Sequence, residues 1–273
     1  MGARIMTDID TELYPKAESR HGMASGAFKT AKRALRDERI SGLTGALLAM
    51  FIWGHLLAES SIIFGKDAYN YVANFLEYTV PVAKPVLFVI TILFFVHFVW
   101  ASRKIPGKLR ERKRMLELGE SLQKSRKGWN QDPKSDIKLR KHFETSLWIT
   151  QVRTGMIVLV TGGFHLILIT WNLFSDMGFG FLGFDYHPHP ILNYDLTSAR
   201  MTSGLWILYA VLMLSVVAHM AIGVYRLLVK WFADTWFVRN YAKAFFYLLF
   251  SFYTVWGTIT IIAASGAWKG VLS

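Results

Sequence analysis

Five stretches of this chain run almost without polar interruption: roughly Gly42 to Phe64, Val82 to Ser102, Leu147 to Trp171, Thr202 to Val229 and Tyr241 to Ser265. A hydrocarbon core of ~30 Å takes about 20 helical residues to cross, so each stretch predicts a transmembrane helix. Beta spans are disfavoured, because the apolar residues are continuous and do not alternate with a period of two. The pattern predicts an all-α integral membrane bundle of five helices. Around it lie an N-terminal segment (1–41), a loop (103–146) and a short tail (266–273). Pro, Gly and Asn cluster between Phe179 and Asn193, which reads as a loop, and no internal repeat or low-complexity tract is evident.

Composition agrees with a membrane class: of 273 residues, 53% are hydrophobic and only 18% charged. A formal charge of +12 would suit a nucleic-acid ligand, but its placement argues against one. Between Arg103 and Lys141 stand 14 Lys and Arg against five Asp and Glu, whereas Gly65 to Pro81 and Asn172 to Met201 together carry only Lys66 and Arg200. This asymmetry sets the N-terminus and the basic loop in the cytoplasm and, after five spans, the C-terminus outside. The expected location is a bacterial inner membrane, N-terminus cytoplasmic and C-terminus periplasmic. The N-terminal segment lacks a charged start followed by an apolar run and a small-residue cleavage site, so no removable signal peptide is expected. Ten tryptophans, among them Trp53, Trp100, Trp148, Trp171, Trp231 and Trp268, fall mostly near span ends, as an aromatic belt requires.

Four of the spans each contain a histidine: His55, His97, His165 and His219. An ionisable or metal-binding side chain inside the bilayer costs free energy unless something pairs with it. One such histidine could pack against a neighbouring helix; four on four spans point to two bis-histidine sites for a flat cofactor, with haem b the leading candidate. There is no cysteine, which excludes thiolate-held iron–sulfur clusters and covalently attached haem on this chain.

Depth follows from the helical rise of 1.5 Å per residue. His97 lies six residues before Arg103, about 9 Å below the basic face, and His219 seven residues before Arg226 and eleven before Lys230, roughly 10 to 16 Å down. His55 is about 20 Å from Ser41, and His165 about 25 Å from Trp148. A shallow pair, His97 with His219, and a deep pair, His55 with His165, would each clamp one haem, with the irons on the order of 10 Å apart vertically. Gly54, Gly162, Gly163 and Gly223, all near these histidines, would let a macrocycle or a neighbouring helix approach the backbone.

Several motifs together resemble the dihaem cytochrome b subunit of quinol:fumarate reductases and succinate:quinone oxidoreductases, of the five-helix single-chain kind. They are FIWGH ending at His55, HFVWASRKIP from His97, SLWITQVRTG with GGFH ending at His165, and HMAIGVYRLLVKW over His219 to Trp231. The resemblance implies that His97 and His219 bind the proximal haem and His55 and His165 the distal one. It also implies that Lys230 pairs with a proximal haem propionate and that Trp148 lies at a haem edge. Lys230 reads equally as a snorkelling interface anchor, and Arg226 is a second candidate for the propionate. Arg200 and Met201 match the family's Arg-Met, near the distal haem or the quinone. Glu77, in YVANFLEYTVP, matches the glutamate that accepts protons from menaquinol; from the sequence alone it would read as a loop carboxylate. One position departs from the pattern: some members carry a glutamate two residues before the fourth ligand, proposed to relay protons, where this chain has Val217.

The function so implied is oxidation of menaquinol near the outer face and passage of electrons through two haems b to cytoplasmic iron–sulfur and flavoprotein (FAD) subunits, for fumarate reduction or the reverse. Expected partners are those two subunits, the bilayer and quinone, with no nucleic acid; a dimer of the heterotrimer is a candidate assembly. The basic loop would both orient the chain and receive the soluble subunits, and no dicarboxylate site is visible. Two other readings stay open: a dihaem cytochrome b of a formate dehydrogenase or hydrogenase, and a haem-free transporter or scaffold. His187 and His189, in HPHP, could bind a metal or line a quinone entrance but read more simply as solvated loop, and His21 and His142 receive no role.

Overall fold

A computed structural model describes residues 17–129, 143–176 and 193–266. The long helix α1, Ala17–Glu59, tightens into a 3-10 turn, Ser60–Phe64, and Gly65 then reverses the chain at φ 100°, a conformation that favours glycine. A short helix α2, Lys66–Asn74, and a π-helical turn, Phe75–Thr79, lead into α3, Ala83–Arg103. Helix α4, Ile105–Trp129, continues from α3. Next come α5, Phe143–Asp176, and α6, Tyr194–Arg200, the latter joined by a second π-helical turn, Met201–Leu205, to α7, Trp206–Trp231. Helix α8, Trp236–Ala264, follows, its first turn capped by Thr235, whose hydroxyl accepts from the Val238 amide at 3.4 Å. The described residues contain no strand.

Five helical segments are long and apolar enough to cross a membrane: Thr30–Phe64, Ala83–Leu122, Thr145–Trp171, Tyr194–Trp231 and Trp236–Ala264. Their surfaces suit lipid. Ile92, Val160, Ile167, Leu248 and Val255 all lie exposed on the bundle, and α3 buries none of its residues. In water such surface would be costly; against acyl chains it is not. Three threonine hydroxyls inside the spans are satisfied within their own helix: Thr91 donates to Leu87 O at 2.7 Å, Thr161 to Ile157 O at 2.8 Å and Thr260 to Trp256 O at 2.9 Å.

The bundle is organised around α7, which packs on α5 and α8 and touches α1, while α1 packs on α3. Its middle layer joins Ala49 to Met213, Val217, Met220 and Tyr253, and Val217 is fully buried. One end layer holds Ala221, Ile222 and Tyr225 with Val238, Ala242 and Phe246; the other holds Ile62, Tyr69 and Ala73 with Met201, Ala263 and Ala264. Contact between α3 and α5 is slight, and the histidine pairs link α3 to α7 and α1 to α5.

Two features go beyond the hydrophobic pattern. The basic loop contains a 25-residue helix, α4, whose mean character is polar and along which Lys113 and Glu117 pair at 3.8 Å, one turn apart. The fourth span is not one continuous helix: Gly204, at φ 94°, breaks it at the π-helical turn. The Phe179 to Asn193 loop, including His187 and His189, lies almost wholly outside the described residues, as do His142 and Trp268.

Candidate functional site

The four span histidines meet in two pairs. His97 of α3 faces His219 of α7 with ring centroids 6.2 Å apart and planes at 86°, and His55 of α1 faces His165 of α5 at 6.3 Å and 45°. These are the pairs that depth alone suggested. A metal ion held at about 2.0 Å by one nitrogen of each imidazole needs ring centroids about 6 Å apart, so both pairs are spaced to share one. Two facing histidines, with four positions left around the metal, match what a porphyrin iron requires.

Hydrogen bonds select the nitrogen that is left over. His219 Nδ1 donates to the main-chain oxygen of Gln151 at 2.9 Å, and His97 Nδ1 to that of Ser41 at 3.1 Å, with the Thr44 hydroxyl also at 3.2 Å. A carbonyl can only accept, so Nδ1 carries the proton and Nε2 keeps its lone pair for a metal. His165 Nδ1 lies 3.3 Å from the Tyr209 hydroxyl. His55 is oriented by stacking on Phe51, one turn earlier, at 5.2 Å and 11°.

Glycines seat the shallow pair. A Cβ on Gly45 would stand 2.9 Å from Cε1 of His97, and one on Gly155 would stand 2.8 Å from Cε1 of His219. Sequence proximity had instead pointed to Gly54, Gly162, Gly163 and Gly223. Gly54 and Gly163 have nothing within 4 Å, Gly162 makes ordinary contacts at 3.6 Å, and Gly223 lies 3.2 Å from Gln151 Nε2. None of these four touches a histidine ring.

Buried donors around the pairs suit a carboxylate-bearing cofactor. Nε1 of Trp53, two residues before His55, Nε1 of Trp100, three after His97, and Nη2 of Arg200 are buried with no hydrogen-bond partner among the described residues. Such orphaned groups cost free energy unless an acceptor reaches them. The two indoles had read only as membrane-belt residues, and their depth beside the ligands is the signal that distinguishes them. The residues present therefore fit haem.

At the basic end, Glu38 accepts from Lys230 at 2.8 Å and from Lys104 at 3.3 Å, and Lys104 also reaches the Ser41 hydroxyl. Arg226 donates to the Gln151 side chain, whose main chain holds His219. Trp148 lies on α5 one turn before Gln151, partly buried. At the opposite end, Lys66 makes a two-oxygen contact with Asp195 at 2.8 and 2.9 Å, and Tyr69 bonds Thr197 at 3.0 Å and Glu59 at 3.2 Å. Burial and the neighbouring Glu59 push the Tyr69 phenol well above its ordinary pKa. Glu77, in the π-helical turn before α3, is 6% exposed, so the carboxylate is not the solvated loop residue its polarity suggests.

Residues 131–258 match the family model described as the succinate dehydrogenase/fumarate reductase transmembrane subunit. Two Helicobacter pylori proteins named fumarate reductase cytochrome b subunit are 27% and 29% identical over 221 residues, which is 78% of this chain and 73% of each relative. A protein of the same name from Wolinella succinogenes is 26% identical over 196 residues, 69% of this chain and 63% of that relative.

Proposed function

We propose that this chain, which is similar to cytochrome b membrane subunits of fumarate reductase and succinate dehydrogenase, is one of them, and that it carries electrons between menaquinol near the outer face and cytoplasmic iron–sulfur and flavoprotein subunits, through two haems b. It is a membrane subunit of an enzyme complex, and cytochrome b implies haem b. The observation that carries the finer reading is the meeting of four span histidines in two pairs at 6.2 and 6.3 Å. His97 and His219 would hold the proximal haem and His55 and His165 the distal one; each haem, when bound, supplies a one-electron relay.

The chain's own residues do the rest. Main-chain acceptors on Ser41 and Gln151 hold the proximal imidazoles in one tautomer with Nε2 free. Gly45 to His55 and Gly155 to His165 are each ten residues, about 15 Å along a helix, which separates the two levels along the bilayer normal. Glu77, sheltered from water, would take a proton from a quinol hydroxyl as electrons leave it. Helix α4 and the Glu38–Lys104–Lys230 cluster would form the charged face that receives the soluble subunits, with Lys230 or Arg226 available to a propionate. Val217 sits in the apolar middle layer, where it offers no proton relay, so protons released outside are not returned through that position. Fumarate reduction and its reverse use the same path.

The visible spectrum of the purified complex tests this reading: two low-spin b haems give sharp reduced bands, and a haem-free bundle gives none. Copurification of a flavoprotein and an iron–sulfur protein distinguishes it from a formate dehydrogenase or hydrogenase cytochrome. A finer test lies at Tyr209. Tyr209→Phe removes the acceptor at His165 Nδ1, making that imidazole a poorer electron donor and the oxidised iron less stable. The midpoint potential of the distal haem is expected to rise in a redox titration while that of the proximal haem stays put; movement of the proximal haem alone would contradict the assignment.

A further inference from the structure

The two shallow histidines are held in the same way by two different helices. Each imidazole lies against a glycine and bonds the main-chain oxygen four residues before it: Gly45 and Ser41 for His97, Gly155 and Gln151 for His219. The contacts agree nearly atom for atom. From the position of a glycine Cβ, ring atoms Cε1, Nδ1 and Nε2 lie at 2.9, 3.3 and 3.9 Å for His97, and at 2.8, 3.1 and 3.9 Å for His219. Both notches also stand ten residues before the deep histidine of their helix, so Ser41-Gly45-His55 on α1 and Gln151-Gly155-His165 on α5 repeat one spacing. The sequence shows this only faintly, because within the two segments a Thr-Gly pair, Thr44-Gly45 and Thr154-Gly155, and the histidine are all that recur in type.

We propose that Gly45 and Gly155 are positioning residues for the proximal haem, each opening a notch that lets an imidazole from another helix reach a main-chain acceptor and so present Nε2. The oxygens of Ser41 and Gln151 already accept within their helices, and a side chain at the following turn would normally cover them. Only a residue without Cβ leaves room for the ring edge. An alanine would have to displace Cε1 by several tenths of an ångström, which lengthens and weakens bonds of 3.1 and 2.9 Å and turns the ring plane. The deep pair has no such notch among the described residues: His165 uses a phenol instead, and nothing lies within 4 Å of Gly54 or Gly163. The device therefore marks one site of the two.

This inference rests on the haem-ligand reading, and the test separates them. Gly45→Ala and Gly155→Ala are made in the whole complex, and each haem is followed by redox titration and by electron paramagnetic resonance. Both variants are expected to act on the same haem, the one lost in His219→Ala, with binding weakened about 10- to 100-fold or its midpoint raised, while the other haem is unchanged. Two haems with both proximal signals unmoved, or disturbance of the distal haem first, would overturn the notch. Absence of haem from the unsubstituted complex would instead overturn the ligand reading. If the variants do not accumulate in the membrane, the unsubstituted complex decides. Rings crossed at 86° leave the iron d-orbitals that face them nearly degenerate and give the proximal haem a strongly anisotropic signal, and a weakly anisotropic one would mean the notches do not fix the rings.

Discussion

Replacing His219 by alanine is expected to leave a complex that contains the distal haem alone, with its reduced b-band absorbance cut by about half because one of two equivalent chromophores is gone. His97→Ala should remove that same haem, whereas His55→Ala and His165→Ala should each remove the other. The expectation follows from pairing: 6.2 Å separates His97 from His219, and 6.3 Å separates His55 from His165, so each substitution deprives one metal of an axial ligand and leaves the second pair intact. Quinol-driven turnover should fall to background in all four variants, since electrons would have to cross the bilayer with one relay missing. Loss of the same haem in His219→Ala and His165→Ala would refute the pairing.

The pairing was legible because helices rise at a fixed rate. Once basic flanks gave each span a direction, counting from Arg103, Arg226, Ser41 and Trp148 was enough to put His97 level with His219 and His55 level with His165. What counting could not supply was the partner of each Nδ1. The acceptors at Ser41 and Gln151 are main-chain oxygens, which every residue has, so no residue type betrays them. Gly45 and Gly155 are hidden for a related reason: glycine is common in packed membrane helices, and the glycines that touch a histidine ring lie across a helix interface from it, not beside it in sequence. The Tyr209 hydroxyl, ten residues from His219 but in contact with His165, was hidden in the same way. Helix α4 was missed because charge, not hydrophobic period, dominates its composition.

At the basic end the structure sharpens what Lys230 can do. Its ammonium stands in an ion pair with Glu38, which also holds Lys104, and Lys104 reaches the hydroxyl of Ser41, whose main-chain oxygen bonds His97. Surface charge and His97 are thus joined through one residue. A haem propionate arriving at Lys230 would compete with Glu38 for the same cation, so on the proposed reading the snorkelling anchor and the propionate partner would be two states of one cluster.

At the opposite end, Glu77→Gln is expected to suppress quinol-driven turnover by about 10²-fold or more, the usual cost of removing a general base, while haem content and turnover with soluble artificial donors persist. Glutamine keeps the volume and can hydrogen-bond a quinol hydroxyl, but it cannot take the proton, so the substitution separates binding from deprotonation. The site favours such a role: the carboxylate is 6% exposed, carried on a π-helical turn that re-aims the chain between α2 and α3, and so held at the edge of the bundle away from bulk water. A base there can collect protons without hydroxide or buffer competing for the quinol. The KM for quinol should change far less than kcat, because the group acts on the proton and not on the ring. If turnover with quinol and with artificial donors fell together, Glu77 would be supporting the fold of the outer cap, and the base would have to be sought elsewhere on that face.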